Sequence, residues 1–294
     1  MYNRVYVRVR MRTNFRERGT VAINTGTNNS ITLSVVIPAY NESQRIERTL
    51  AGTKGFLDTR GIGYEILVVD DGSSDGTPGV VTAWAVANNA SSLVRVLGYD
   101  ANRGKGYAVR HGILRAGGER ILFMDADLAT PIEELTKLEA GIDVDPDNIV
   151  YAIGSRDIRG KDLLVRQPWY REKLGRLFNN VVQLVATPGV VDTQCGFKLL
   201  PREAARSLFS RCTLDGFSFD VEAIFVARRL GYRVVEVPVR WAHQEGAAAF
   251  TSKGKYLLHG LKMIADLMKI RWAHRGLRPA KASPLRTAPA PPTA

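Results

Sequence analysis

Two carboxylates, Asp125 and Asp127, follow the short apolar segment Ile121 to Met124. Side chains at positions i and i+2 of an extended chain point to the same side. A hard divalent cation such as Mg2+ or Mn2+ takes oxygen ligands of this kind and can bridge them to a diphosphate. We therefore interpret Asp125 and Asp127 as a metal site. An isolated Asp-x-Asp is common, so this interpretation depends on the segments that precede it.

Earlier apolar segments also end in polar residues that favour a ligand. The first is followed by Pro38 to Glu42, where Asn41 is placed to cap a helix and Glu42 suits the dipole of its first turn. The second ends in Asp70 and Asp71. Grouping two carboxylates is costly unless they meet donors or a cation. The imide of a nucleotide base and a ribose hydroxyl are suitable donors, so we predict a nucleotide at this position.

A glycine-rich turn follows the third apolar segment. The sequence Asn102-Arg103-Gly104-Lys105-Gly106 opens a predicted helix, whose N-terminus and basic side chains suit a phosphate group. The turn lacks the third glycine of a dinucleotide fingerprint and does not match a Walker A loop. The hypotheses of an ATPase and of a dehydrogenase therefore lose their main support.

Strand and helix patterns alternate in the first half of the chain, which predicts a doubly wound parallel sheet with right-handed crossovers. The predicted strands are Leu33 to Ala39, Glu65 to Val69, Leu93 to Leu97 and Ile121 to Met124. The predicted helices are Glu42 to Leu57, Gly76 to Asn88 and Gly104 to Ala116. Ligands of such sheets bind beyond the carboxyl ends of the strands, which is where the polar segments lie.

The second half of the chain is less regular. Its predicted elements are a strand from Asn148 to Gly154 and helices at Tyr170 to Ala186, Pro201 to Phe209 and Phe219 to Leu230. We interpret residues 31–246 as one catalytic domain, with a nucleotide-binding half at 31–147 and an acceptor half at 148–246.

The flanking segments differ from this domain in composition. Residues 1–30 are predicted to be a flexible basic leader, and residues 273–294 a disordered basic tail rich in Pro and Ala. Residues 247–272 are predicted to form a loop and an amphipathic helix, whose apolar stripe includes Ala265, Met268 and Trp272. This helix is either an element of a membrane interface or an ordinary core-packing helix.

The 294 residues carry a formal net charge of +12, and this charge lies at the two ends. Residues 1–30 contribute +5 and residues 250–294 contribute +8, whereas residues 31–249 are near neutral. A nucleic-acid enzyme usually carries its basic surface on the folded domain, so the distribution disfavours a nucleic-acid partner. It favours peripheral contact with an anionic membrane, although solvated basic tails explain it equally well.

Other residue types exclude several classes of protein. No apolar run reaches the 18 residues of a spanning helix, so we expect neither a membrane anchor nor a secretory signal. Cys195 and Cys212 lack the spacing of a zinc site and are too few for a disulfide framework, which favours the cytosol. The four histidines show no metal-ligand spacing, so zinc enzymes and hydrolases have no support.

Taken together, seven segments resemble the family 2 glycosyltransferases of the GT-A fold, and most closely their dolichyl-phosphate β-glucosyltransferase and polyprenyl-phosphate branch. These segments are Ser34 to Glu42, Val68 to Thr77, Asn102 to Gly106, Met124 to Leu128, Gly154 to Arg156, Asp192 to Lys198 and Phe219 to Glu222. The resemblance implies a Rossmann-like, mostly parallel α/β sheet flanked by helices. It also implies an inverting transfer of a sugar from a nucleotide donor.

The resemblance also assigns roles to individual positions. The residues that match the nucleotide-binding positions are Pro38, Tyr40, Glu42, Asp70, Lys105 and Asp125. Asp125 and Asp127 match the ligands of Mg2+ or Mn2+, and Arg156 and Arg171 match positions that contact a lipid phosphate. Asp192, Asp220 and Glu222 match carboxylates near the sugar. The implied catalytic set is therefore Asp127, Asp192, Asp220 and Arg156.

The chemistry agrees with these assignments. A metal on the diphosphate stabilises the charge of the leaving group. A phosphate acceptor is already an anion and mainly needs positioning by cations such as Arg156 and Arg171, whereas a hydroxyl acceptor would need Asp192 or Asp220 as base.

We therefore expect a peripheral enzyme on the cytosolic face of a membrane that moves a hexose, favouring glucose from UDP-glucose, to a polyprenyl or dolichyl phosphate. The alternatives are mannosyl transfer from GDP-mannose, a soluble phosphorylated acceptor, and a non-enzymatic basic adaptor. One feature departs from the branch: its Gly-Ser-Lys motif is absent after Gly246, and Ser252-Lys253 is at most a displaced equivalent.

Overall fold

Strand β1 (Leu33–Ala39) is buried along its whole length and lies inside the sheet. The structure, a computed structural model, describes residues 30–143, 148–156, 187–242 and 265–277. The Val and Ile residues of β1 suit a strand covered on both faces, and its alternate side chains enter two separate hydrophobic cores.

Seven strands of the described chain form one mixed sheet, in the order β3-β2-β1-β4-β6-β5-β7. After β1, the strands are β2 (Tyr64–Asp70), β3 (Val94–Gly98), β4 (Arg120–Met124), β5 (Val150–Ser155), β6 (Phe197–Pro201) and β7 (Arg233–Pro238). Strands β1 to β4 are parallel to one another, and β5 is parallel to β7. Strand β6 is antiparallel to both β4 and β5 and joins the two groups.

Helices cover both faces of this sheet. The described helices are α1 (Ile46–Asp58), α2 (Thr77–Ala87), α3 (Lys105–Ile113), α4 (Leu135–Asp143), α5 (Arg202–Phe209), α6 (Phe219–Arg229) and α7 (residues 265–273). A short 3-10 turn, Ile132–Glu134, precedes α4. Buried side chains of α1, α2 and α4 form one core against the sheet, and those of α3, α5 and α6 form the other. The result is a three-layer arrangement, as expected for an α/β sheet.

Pro38 shows how the sequence controls the pairing of β1. It lies inside the strand, within the predicted range Leu33 to Ala39, and opposite Val69 of β2. The pairing of β1 with β4 stops earlier, at Val36. Because proline has no N–H to donate, it is compatible with the strand only where one neighbour has already ended.

The strands and helices predicted for the first half are all confirmed, with ends that shift by a few residues. The parallel sheet is correct for β1 to β4. The acceptor half differs because β6 runs antiparallel, and the sequence analysis predicted neither β6 nor β7. Strand β6 has only five residues and contains a lysine, so its pattern does not favour a buried strand.

Several predictions lie outside the described residues. These are the helix from Tyr170 to Ala186, the leader as far as residue 29, the tail from residue 278, and the loop that replaces the Gly-Ser-Lys motif. Residues 273–277, which were predicted to begin the disordered tail, are described, and His274 among them is buried and contacts Glu222. Within the part of the chain that the structure describes, no helix combines the length and the apolar character needed to span a bilayer.

Two helical glycines give a test of how tightly α3 packs on the sheet. A Cβ atom on Gly112 would lie 2.5 Å from Cγ1 of Val36 and 2.8 Å from Cγ2 of Val69, whereas one on Gly55 would meet nothing within 4 Å. We expect Gly112→Ala to lower the free energy of unfolding by about 1–3 kcal/mol through overpacking. The control Gly55→Ala should raise it by up to about 1 kcal/mol through helix propensity. Urea titration measures both changes, and equal effects of the two variants would contradict this packing.

Candidate active site

The loops that follow β1 and β2 are tied together at the carboxyl ends of these strands. The backbone N–H of Asn41 donates to Oγ of Ser73, and that of Glu42 donates to Oγ1 of Thr77, both at 2.9 Å. Asn41 has a left-handed φ of 55°, and its side-chain oxygen accepts the N–H of Ser74. Asn41 therefore links the two loops, and its predicted role as the cap of α1 is wrong.

Asp70 and Asp71 are neighbours in sequence and both buried, but their surroundings differ. Asp71 accepts hydrogen bonds from the hydroxyl of Tyr99, the side-chain amide of Asn102 and the backbone N–H groups of Arg103 and Gly104, at 2.7–3.0 Å. Its acceptor capacity is used within the protein. Its role is to fix the turn that leads into α3.

Asp70 keeps one oxygen available for a ligand. Its Oδ2 accepts the N–H of Ser73 at 3.2 Å, but no donor among the described residues reaches the buried Oδ1. A buried carboxylate oxygen without a partner is costly, so this atom calls for a donor from outside the protein. The geometry agrees with the predicted contact to a nucleotide base.

The glycine-rich turn does not offer its backbone to a phosphate, contrary to the sequence interpretation. The N–H of Gly104 binds Asp71, and the N–H groups of Gly106 and Tyr107 donate to the carbonyl of Asp215 at 2.8 and 3.2 Å. These amides of the helix N-terminus are already satisfied by the fold. The turn therefore contributes the side chain of Lys105 to the site.

Lys105 reaches the metal-site carboxylate that was predicted from sequence. Its Nζ atom lies 2.6 Å from Oδ1 of Asp125. Burial works against the charge of Lys105, but Asp125 and Asp220 outweigh it and raise the pKa of the lysine. The ammonium group therefore stays charged beside Asp125, where it can pair with a diphosphate.

Gly196 leaves the space that Asp125 occupies. The N–H of Asp125 donates to the carbonyl of Gly196 at 3.0 Å, and a Cβ atom on Gly196 would lie 2.0 Å from Oδ2 of Asp125. Only glycine is compatible with this placement of the carboxylate. The sequence offered no reason to single out Gly196 within its motif.

Asp127 lies in a turn and not in an extended strand, so the premise that led to the metal site is incorrect. The strand ends at Met124, Leu128 has a φ of 53°, and Oδ1 of Asp127 accepts the N–H of Ala129 at 2.9 Å. The charges of Asp125 and Asp127 both act on Lys105, so the turn still brings the two carboxylates to one place.

Glu42 and Tyr40 border the same place. Glu42 forms a bidentate ion pair with Arg45, with both contacts at 2.8 Å. Burial raises the pKa of Glu42, Arg45 opposes that rise, and the charges of Asp127 and Asp125 add to it. Tyr40 is half exposed after β1. Glu42 after β1, Asp125 and Asp127 after β4, and Lys105 at the start of α3 thus form a cluster of three acids and one lysine.

Two members of this cluster, Asp125 and Asp127, fit a divalent cation only together with oxygen atoms from outside the protein. No group of three or more His, Cys, Asp or Glu side chains suited to a metal occurs in the described ranges. Asp125 and Asp127 provide two hard oxygen ligands, and oxygen atoms of a diphosphate and of water would complete the coordination that Mg2+ or Mn2+ requires.

On the acceptor side, Arg156 and Asp192 form a bidentate pair. Nε and Nη2 of Arg156 donate to the two carboxylate oxygens at 2.7 and 2.8 Å, and the backbone N–H of Arg156 adds a third contact at 3.0 Å. The guanidinium carbon also lies 5.5 Å from the centre of the Trp241 ring. Burial would raise the pKa of Asp192, but Arg156 holds it below its usual value.

Arg156 and Asp125 line one small cavity. Its other lining residues are Ala129, Thr130, Gly196, Phe197 and Trp241. The adjacent strands β4, β6 and β5 explain this proximity, since Asp125 follows β4, Gly196 precedes the antiparallel β6, and Arg156 follows β5. The predicted metal and acceptor residues therefore meet at one edge of the sheet.

Comparison with known proteins agrees with this geometry. Residues 34–209 match the family model described as glycosyl transferase family 2. The chain belongs to this family. It is 40% identical over 228 residues to a dolichyl-phosphate beta-glucosyltransferase of Drosophila melanogaster, covering 74% of this chain and 69% of the relative. The Mus musculus protein of the same description is 38% identical over 247 residues, which cover 81% and 74% of the two chains.

Solved structures share the GT-A fold of this glycosyltransferase. Glucosyl-3-phosphoglycerate synthase from Mycobacterium tuberculosis, in complex with Mn2+, UDP-glucose and phosphoglyceric acid, has a TM-score of 0.56 and 21% identity, covering 82% of this chain and 79% of that one. Mannosyl-3-phosphoglycerate synthase from Rubrobacter xylanophilus has a TM-score of 0.57 and 20% identity, with coverage of 84% and 75%. At these identities the likeness concerns the fold.

In this glycosyltransferase, Asp220 does not line the cavity and is paired with the buried Lys198. Asp220 is 2% exposed and Lys198 is 1% exposed. Lys198 also donates to the carbonyl of Thr193 at 3.1 Å. Burial raises the pKa of Asp220, and the charges of Lys198 and Lys105 oppose that rise. The sequence analysis did not select Lys198, although it ends the segment that carries Asp192.

Glu222, two residues further on α6, does not face the sugar site as the resemblance implied. It accepts the N–H groups of Thr213 and Leu214, the hydroxyl of Thr213, and a contact of 2.8 Å with Nε2 of His274. Residues two positions apart on a helix point in different directions, so Asp220 and Glu222 contact different parts of the protein. Glu222 holds α7 and the loop before α6. Arg171, the other predicted phosphate ligand, lies outside the described residues.

Substitution of the Asp pair tests their separate roles. Asp71→Asn should lower the free energy of unfolding by about 1–3 kcal/mol, because a new N–H2 group would face donors. Asp70→Asn should leave stability within about 1 kcal/mol of the wild type but weaken UDP binding at least about tenfold, by the loss of a charged acceptor. Urea unfolding and calorimetric titration with UDP measure the two effects. Similar stability losses in both variants would contradict the distinction.

The pH dependence of stability tests the role of Glu222. Burial alone would raise its pKa, but hydrogen bonds, first that from His274, lower it overall. Its stabilising effect is therefore complete above its unfolded pKa of about 4.3 and is lost as the pH falls through the lower folded value. We expect Glu222→Gln to be about 1–3 kcal/mol less stable at pH 7 and to approach the wild type below about pH 4. A constant difference across a pH series of urea titrations would argue against this role.

Proposed function

We propose that this glycosyltransferase transfers glucose from UDP-glucose to a dolichyl or other polyprenyl phosphate, with inversion at the sugar. Its relatives described as dolichyl-phosphate beta-glucosyltransferases, at 34–40% identity, support this choice of sugar and acceptor. The observation that carries the proposal is the Arg156–Asp192 pair, because Arg156 lines one cavity with Asp125.

The donor end of the site suits a nucleoside diphosphate sugar. The free oxygen of Asp70 would accept the base imide, and Tyr40 is exposed enough to stack on the base. Asp125 and Asp127 would hold Mg2+ or Mn2+, which acts as a Lewis acid on the diphosphate when bound. Lys105 adds a positive charge beside Asp125, where the leaving group develops its negative charge.

The acceptor end suits an anion better than an alcohol. An alcohol would need a base, but Asp192 has a lowered pKa and both its oxygens accept from Arg156. Asp220 is enclosed and paired with Lys198. A phosphate monoester needs no base, since its oxygen is already charged. Asp192 uses Nε and one N–H of Nη2 of Arg156, so Nη1 and the second N–H of Nη2 are the donors that would meet the phosphate.

The proposed transfer is a single displacement at C1 of glucose. An anionic oxygen of the lipid phosphate forms a bond to C1 of glucose while the bond from C1 to the diphosphate oxygen breaks. UDP leaves with the electron pair, and no proton has to move. Attack opposite the leaving group inverts the configuration at C1.

We place the reaction on the cytosolic face of a membrane, with peripheral contact. The basic ends of the chain support this location, because they favour an anionic surface. Mannosyl transfer from GDP-mannose and a soluble phosphorylated acceptor are the alternatives, and no observation favours them. The non-enzymatic adaptor is disfavoured by membership of a glycosyltransferase family.

A matrix of donors and acceptors tests the proposal. The purified chain, with Mn2+ or Mg2+, is given radiolabelled UDP-glucose or GDP-mannose, together with a short polyprenyl phosphate, 3-phosphoglycerate or a polyprenol without phosphate. We expect labelled product from UDP-glucose and the polyprenyl phosphate. Labelling of the polyprenol would overturn the argument from the missing base, and labelling only of 3-phosphoglycerate would overturn the lipid acceptor.

Two substitutions separate the ends of the site within the same assay. Arg156→Gln should raise KM for the polyprenyl phosphate at least about tenfold while leaving KM for UDP-glucose within about twofold, because a charge-assisted bidentate contact is lost. Arg156→Lys should restore little of it, since an ammonium cannot pair in the same way. Asp125→Asn should abolish transfer to every acceptor and weaken Mn2+ binding, measured by electron paramagnetic resonance with UDP present. An unchanged Mn2+ affinity would contradict the metal assignment.

A further inference from the structure

Helix α7 has two different apolar faces. The inner face carries Leu267 and Ile270, which are buried in a small core with Val221 and Phe225 of α6. Polar contacts reinforce this docking, as His274 binds Glu222. The helix is therefore already packed on the domain through one side.

The outer face of α7 is also apolar. Met268 is 64% exposed and Trp272 is 71% exposed, and they are four residues apart, so they lie one turn above the other. They belong to the stripe that the sequence analysis singled out, with the exposed Ala265. The core contacts come from Leu267 and Ile270 instead. The helix therefore packs on the core through Leu267 and Ile270, whereas no described residue covers Ala265, Met268 and Trp272.

Basic residues flank this outer face. Lys269, Arg271 and Arg275 are all exposed, and the guanidinium carbon of Arg275 lies 4.6 Å from the centre of the Trp272 ring. Lys269 keeps 66% of its side chain exposed while it contacts Asp266 at 3.4 Å. An exposed tryptophan among cations is typical of a surface that enters the headgroup region of an anionic bilayer.

The position of α7 relative to the site supports the same partner. At the start of α7, Asp266 accepts a hydrogen bond of 2.8 Å from Ser218, which directly precedes α6. The next residues of α6 lead to Asp220, whose charge acts on Lys105 in the site. Phe217, on the other side of Ser218, is 56% exposed. Helix α7 is therefore anchored next to the first turn of α6, the helix that carries Asp220.

We propose that Met268 and Trp272, with Lys269, Arg271 and Arg275, form the surface through which this enzyme docks on an anionic bilayer. The two apolar side chains enter the headgroup region and the basic side chains pair with lipid phosphates. The inference builds on the proposed lipid acceptor, because docking here brings the site to the membrane that holds it.

Vesicle binding of the full chain tests this surface without reference to catalysis. Vesicles contain phosphatidylcholine alone or mixed with phosphatidylserine, and bound protein is measured by flotation. We expect the double variant Met268→Ser, Trp272→Ser to lower the partition onto mixed vesicles about tenfold, since two large apolar side chains then stay out of the bilayer. Val86→Ser is the matched control, because Val86 is 66% exposed on α2, and it should bind as the wild type does.

Brominated lipids give a second measurement on the same surface. They should quench tryptophan fluorescence of the wild type in mixed vesicles, and Trp272→Phe should remove most of that quenching. Unchanged binding in the double variant, or unchanged quenching in Trp272→Phe, would overturn the proposal. A change of oligomeric state in the double variant, measured by light scattering, would show that the face pairs two copies of the chain instead.

Two acceptors distinguish this inference from the proposed function. The double variant should glucosylate a short, water-soluble polyprenyl phosphate at the wild-type rate, but it should lose about tenfold in rate on a long-chain acceptor in vesicles, in line with the lost partition. Equal loss on both acceptors would assign these residues to the fold or the site and overturn the docking surface. If no lipid acceptor is glucosylated at all, the proposed function fails, and flotation still decides the surface.

Discussion

The buried carboxylate of Asp71 organises the donor side of this enzyme. It joins the end of β2 to the turn before α3 through contacts to Tyr99, Asn102, Arg103 and Gly104. From the opposite side, the carbonyl of Asp215 holds the first amides of α3. Fixed between these two anchors, the first residue of α3 has little freedom, and that residue is Lys105. The position of the positive charge in the site therefore depends on a carboxylate whose hydrogen bonds are all made within the protein.

Positive and negative side chains alternate inside the site, and this arrangement stabilises its buried charges. Lys198 pairs with Asp220, the charge of Asp220 acts on Lys105, and Lys105 pairs with Asp125. Each buried charge has an opposite neighbour, which offsets the desolvation that an isolated ion would suffer. The series ends at the carboxylates assigned to the metal. Lys105 and Lys198 also offset part of the negative charge of Asp125 and Asp220, which would otherwise repel a diphosphate.

Much of the fold follows from the sequence because its signals are local. The strands β1 to β4 are continuous apolar runs, and each is followed by turn residues and a helical pattern. Strand β6 could not be predicted in this way, because its Lys198 can be buried only through its ion pair with Asp220, which lies more than twenty residues further along the chain. A pattern of apolar residues contains no information about such a distant partner.

Some residues of the site could be predicted from the sequence and others could not, for the same reason. The residue types of Asp70, Lys105, Asp125 and Arg156 indicated their chemistry, and the structure brings Lys105, Asp125 and Arg156 to one edge of the sheet. Residue type alone could not distinguish Asp70 from Asp71, and it was the resemblance that selected Asp70. The tertiary hydrogen bonds supply the physical reason, since they occupy Asp71 and leave one oxygen of Asp70 without a partner. The role of Glu222 was predicted wrongly for a similar reason, as its partner His274 comes from the turn after α7, far along the chain. Gly196 is important because it has no side chain and so leaves space for the carboxylate of Asp125. A residue pattern does not show this requirement.

Strand β6 lies between β4 and β5 and therefore sets the distance between the residues that follow those two strands. Asp125 and Arg156 stand two strand spacings apart, roughly 10 Å, and ladder hydrogen bonds maintain that separation. No hinge within the described sheet divides the donor half from the acceptor half. Under the proposed function, the paired strands would hold the backbones of these two residues at a fixed separation, and this separation would limit where an acceptor phosphate can lie relative to the donor diphosphate.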